Sequence, residues 1–63
     1  MILVSEYMSE DEDRKARVFT TAQGPVVEFY YNGTLVERRP LEAYTLRYAE
    51  DAAENYVEGI LKV

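Results

Sequence analysis

Sixty-three residues with 7 basic and 12 acidic side chains leave room for one small domain, and the absence of His, Cys and Trp removes the residue types on which most active sites depend. At 48% hydrophobic and 13% aromatic the chain is too apolar for a disordered tail, while its net charge of −5 repels nucleic acid at long range. With no disulfide and no Cys or His for structural zinc, self-association or a partner is the remaining aid to a core of this size.

Residues 1–7 read as an edge strand, whose pairing within or between chains the sequence leaves open. The apolar opening over residues 1–4 is too short to span a membrane and lacks the basic flank of a secretion signal, so a cytoplasmic protein without membrane contact is expected. Residues 6–13, rich in Ser and acids, read as a solvated loop between strands. A further strand is expected over residues 16–21, ending in a turn at Gln23-Gly24-Pro25.

The strongest local signal is residues 26–31, Asn32-Gly33, then residues 34–39, because Asn-Gly accepts the positive φ angles of a two-residue hairpin turn. That turn sets Tyr31 opposite Thr34, Phe29 opposite Val36 and Val27 opposite Arg38 on the core face. It also sets Glu28 opposite Glu37 on the other face, a mildly repulsive pair. Pro40 should close the strand.

Thr45 is placed to cap a helix from Leu46, with continuation to about Leu61 favoured over the alternative that Gly59 frays the last turn and leaves residues 60–63 as a short docked tail. The apolar stripe of the helix is Ala49, Ala52, Ala53, Tyr56, Val57 and Ile60, with Arg47, Asp51, Glu54 and Glu58 on the opposite arc. The fold class expected is α+β: a small three-stranded antiparallel β-meander of order βββα, with one C-terminal amphipathic helix packed on one face.

No catalytic set accompanies this architecture. General acid or base work falls to His or to a buried carboxylate, and every acid here sits in an expected loop, strand surface or polar helix arc. Three scattered Gly form no phosphate cradle. Counting Asp11 as the first ligand of a calcium loop puts Lys15 in the fifth place, so the run Glu10-Asp11-Glu12-Asp13 reads as a solvated acidic loop. A non-enzymatic protein with no cofactor and no metal is the expectation.

The middle of the chain interleaves Arg and Lys with Phe19, Tyr30 and Tyr31, and its +3 balance is flanked by −5 over residues 1–13 and −3 over residues 41–63. One helix covers one sheet face, so Phe19, Tyr30 and Leu35 beside Arg39 are expected on the open face. They could pack against a second copy in a homo-oligomer, anchor another protein, or stack the bases of single-stranded nucleic acid, which the flanking acids disfavour. Glu6, the run Glu10, Asp11, Glu12 and Asp13, and the helix acids Asp51, Glu54 and Glu58 could together present carboxylates to a basic groove in place of phosphates. Glu10, Asp11, Glu12, Asp13, Phe19, Tyr30, Leu35 and Arg39 are the candidate partner-binding set.

The run from Thr45 to Tyr56, TLRYAEDAAENY, preceded by the hairpin YNGTLV at residues 31–36, resembles small uncharacterised proteins of tailed phages, cyanophages in particular. The resemblance implies a virus-encoded accessory protein acting on a host or viral protein in the bacterial cytoplasm, a class that includes inhibitors of host enzymes. No site residues carry over from it.

Overall fold

The computed structural model describes all of residues 1–63. Strands β1 (Ile2–Met8), β2 (Arg14–Thr21), β3 (Gly24–Tyr31) and β4 (Thr34–Pro40) precede a single helix, α1 (Leu46–Val57). All four strands join one antiparallel sheet in chain order, which corrects the three-stranded expectation. Residues 9–13 make a closed turn where a loop was expected: Ser9 N–H donates to Arg14 C=O at 2.9 Å, and Glu12 N–H to Ser9 C=O at 2.9 Å. With Glu12 at φ 65° the chain reverses there, so β1 pairs with β2 inside the same chain.

The Asn32-Gly33 turn forms as expected, with φ of 51° and 83°, and sets Tyr31 opposite Thr34. The register then departs from the sequence reading. Tyr30 faces Leu35, but Phe29 faces Glu37, leaving Val36 as an extra residue in a β-bulge. The physical gain is plain: without the bulge Glu28 would face Glu37, and with it Glu28 faces Arg38, whose Nε lies 3.5 Å from Glu28 Oε2. A second bulge, at Val4, adjusts β1 against β2.

The core is one cluster of eight buried residues: Ala16 and Val18 from β2, Val27 and Phe29 from β3, Leu41 from the connection, and Ala49, Ala53 and Tyr56 from α1. Alanines at the crossing let the helix approach the sheet closely, and the Tyr56 ring meets Phe29 edge-on at 4.9 Å. Leu41 joins this core from a segment that carries no periodic signal, while its N–H donates to Pro25 C=O at 2.9 Å.

Helix α1 begins where the sequence indicates, with Thr45 Oγ1 accepting from Tyr48 N–H at 3.1 Å. It ends at Val57 rather than near Leu61. Gly59, at φ 81°, turns the chain so that Ile60 N–H donates to Asn55 C=O at 2.8 Å and Gly59 N–H to Tyr56 C=O at 3.0 Å. This Schellman closure carries Ile60 off the stripe into solvent, and Leu61 returns to pack on the core. At twelve residues α1 is the sole helix, and no helix is long and apolar enough to cross a membrane.

Candidate interaction face

The helix lies over β2, β3 and β1, leaving the other side of the sheet without a second layer. Strand register lays out that open side in three rows running across all four strands. The first is Leu3, Phe19, Val26 and Pro40. The second is Glu6, Arg17, Glu28 and Arg38, and the third is Met8, Lys15, Tyr30 and Leu35. One apolar row, and one in which Lys15 stands among Met8, Tyr30 and Leu35, thus flank a central ladder that alternates acid, base, acid, base.

The ladder is connected. Arg17 Nε donates to Glu6 Oε2 at 2.6 Å, Tyr30 Oη donates to Glu28 Oε1 at 2.7 Å, and Arg38 Nη2 reaches Met1 Sδ at 3.3 Å. Lys15 Nζ stands 5.2 Å and the Arg17 guanidinium 5.5 Å from the Tyr30 ring centroid, two cations of β2 within reach of one aromatic. The hydrogen bond to Glu28, and then burial, push the Tyr30 phenol above 10.0, and Glu6 holds Arg17 protonated. Apolar surface remains open around this network: Leu3 is 50% exposed, Met8 52% and Leu35 47%. Phe19 and Tyr30 are half-buried and Val26 is buried.

The candidate residues therefore divide among three places. Phe19, Tyr30 and Leu35 share the open face, as expected. Arg39 does not join them, because the Val36 bulge turns it to the helix side of β4, opposite Val27. There its Nε donates to Glu37 Oε2 at 2.7 Å and its guanidinium lies 5.4 Å from the Phe29 ring centroid, closing the core at the margin that α1 does not reach. Glu10, Asp11, Glu12 and Asp13 form the β1–β2 turn at one end of the sheet.

In that turn the Ser9 hydroxyl lies 2.9 Å from Asp11 Oδ1 and 3.0 Å from Asp13 Oδ1, and accepts from Arg14 N–H at 3.0 Å. Hydrogen bonding with Asp13 and then with Ser9 holds the Asp11 carboxyl below its ordinary range. No group of three or more acidic side chains converges as a metal site. The turn does meet the end of α1, and together they line a shallow open groove of about 890 Å³ whose walls include Glu10, Asp11, Glu54 and Glu58, with Arg14 the one base. Of the acids the sequence groups as one carboxylate surface, Glu10, Asp11, Glu54 and Glu58 meet here, whereas Glu6 lies on the open face against Arg17 and Asp51 beside Arg47.

Two further residues escaped the sequence reading. Leu3 and Met8 extend the flanking rows, and the alternation of β1 was the available signal, which the Val4 bulge interrupts. On the helix side, Ser5 Oγ donates to Glu50 Oε2 at 2.6 Å and ties β1 to α1. No family model matches the chain, and comparison with curated proteins and with solved structures returns no match.

Proposed function

We propose that this chain is a non-enzymatic protein-interaction module whose recognition surface is the open face of its sheet. One observation carries the reading: the single helix covers one side, while Leu3, Met8 and Leu35 stay about half exposed on the other, around a paired charge ladder. Such a surface combines apolar anchors with fixed charges that select a complementary partner. The resemblance of residues 31–36 and 45–56 to small phage proteins supports a virus-encoded accessory role in a bacterial cytoplasm, with a host or viral protein as target.

The test is capture from bacterial lysate by the wild-type chain and by a Met8→Asp, Leu35→Asp double variant that retains the fold by circular dichroism. The reading expects proteins, copies of the chain included, to be retained by the first and lost with the second. Equal capture by both, or no association at all, contradicts it.

A second reading draws on the acidic groove, where Glu10, Asp11, Glu54 and Glu58 are gathered at one end of the molecule. Four carboxylates there suit a basic partner surface, as an inhibitor that stands in for phosphates would need. Reversing Glu54 and Glu58 to Lys should abolish such binding and leave open-face binding intact. Single-stranded nucleic acid has less support, since Arg39 lies away from the open-face aromatics and Arg17 already pairs with Glu6.

A further inference from the structure

We propose that the occupant of the open face is a second copy of this chain, docked face to face about a twofold axis that runs parallel to the strands between β2 and β3; this rests on the reading of that face as an interaction surface. The ladder across β1 to β4 reads acid, base, acid, base, so it is antisymmetric about the line between the two central strands. Rotation about that line lays β1 of one copy over β4 of the other. Glu6 then meets Arg38 of the second copy, and Arg17 meets Glu28.

The same rotation matches the flanking rows. Leu3 lies over Pro40 of the second copy and Phe19 over Val26, apolar on apolar. Met8 lies over Leu35, and Lys15 over Tyr30, repeating between copies the cation-on-ring contact present within each. The alternative aligned packing, with the axis running across the strands, sets Glu6 over Glu6 and Arg17 over Arg17 and is repelled at every rung. Charge thus selects one packing and rejects the other.

Bonding capacity remains at Glu6 and Arg17, while the Glu28 oxygens already hold Tyr30 and Arg38, so Arg17 meets Glu28 of the second copy as a charge rather than through a free oxygen. Arg17 contributes one N–H to Glu6, and a guanidinium has five; Glu6 uses one carboxylate oxygen. The approach is also the least repelled available. Lys15, Arg17 and Arg38 against Glu6 and Glu28 give the open face +1 (three bases less two acids), whereas the chain as a whole carries −5. Four strands about 4.8 Å apart and about 7 residues long at 3.3 Å each make a footprint of roughly 19 by 23 Å, which is small for an interface and fits a reversible micromolar dimer.

The test is sedimentation equilibrium from about 1 to 500 µM on the wild type, on Glu6→Arg, on Arg38→Glu, and on the two variants mixed. Each reversal sets like charges face to face twice in its own homodimer and should weaken association about 30-fold or more. In the mixed dimer the reversed Glu6 position meets the reversed Arg38 position, every rung is again opposite in sign, and association should return to within roughly threefold of wild type. A wild type that stays monomeric, reversals that dimerise normally, or a mixture that fails to recover overturns the inference.

If either reversal unfolds the chain, a mixture of Met8→Cys and Leu35→Cys proteins treated with a short bismaleimide replaces it, the wild type having no Cys to interfere. Hetero-crosslinking well above either homo-crosslink is expected, and equal yields overturn the inference. A monomeric wild type whose lysate capture still depends on Met8 and Leu35 sinks the homodimer while leaving the interaction reading standing. Loss of both results sinks both.

Discussion

Phe29 is the residue on which most of the packing converges, fully buried between the Tyr56 ring on one side and the Arg39 guanidinium at 5.4 Å on the other. Phe29→Ala should cost about 3–5 kcal/mol, enough to unfold a domain this small, read as loss of the thermal transition. Tyr56→Phe keeps the ring but removes the hydrogen bond its hydroxyl donates to Tyr30 C=O at 2.9 Å, and should cost about 1 kcal/mol. Arg39→Ala uncovers the Phe29 margin and should lower stability by about 1 kcal/mol, visible in urea denaturation, without weakening association. That outcome separates Arg39 from Arg38, one residue away in sequence and on the opposite face.

Three tyrosines set the alkaline limit. Tyr7 and Tyr56 are raised above 10.0 chiefly by burial, Tyr7 further by Glu50, and Tyr30 chiefly by its hydrogen bond to Glu28. A phenol whose folded value is raised stabilises the fold fully below the unfolded value and loses that contribution as pH climbs through the folded one. Melting temperature should therefore be level from about pH 8 to 10 and fall steeply above it, less steeply in Tyr30→Phe. A flat profile through pH 11.5 contradicts the assignment.

At the scale of elements, the hairpin turn, the Thr45 cap and the start of α1 are legible because each depends on residues adjacent in sequence. The Val36 bulge is not, since its cause is a pairing across strands, yet its trace was present: the unbulged register puts Glu28 against Glu37, and that mismatch marked where the ladder would shift. Leaving the bulge out sent Arg39 to the wrong face and so misassembled the candidate site. Each of the four strands is legible by itself, but with the run of acids read as solvated loop the pairing of residues 1–7 stays open and the expected meander counts three; the turn that the Ser9 hydroxyl organises brings the edge strand into the sheet. The helix end turned on Gly59, whose positive φ favours closure over continuation. Gly59→Ala should cost about 1 kcal/mol in thermal stability, as a side chain strains the left-handed turn.

For the whole molecule, the governing fact is that one helix cannot cover two faces of a four-stranded sheet. The covered side is closed by α1, Leu41 and Arg39; the other is left with a neutralising ladder and flanking rows whose pattern is complementary to itself under one rotation. That pattern was invisible in the linear sequence, where the four ladder residues stand between 10 and 11 positions apart and only strand register aligns them. The measurement that tests this most directly is the concentration dependence of NMR chemical shifts in the isotopically labelled wild-type chain. Shifts at Leu3, Met8, Lys15, Tyr30 and Leu35 should move together between dilute and concentrated samples while those at Glu54, Glu58 and Ala52 stay fixed. Shifts that move at the acidic groove or along α1, or that do not move anywhere, would contradict it.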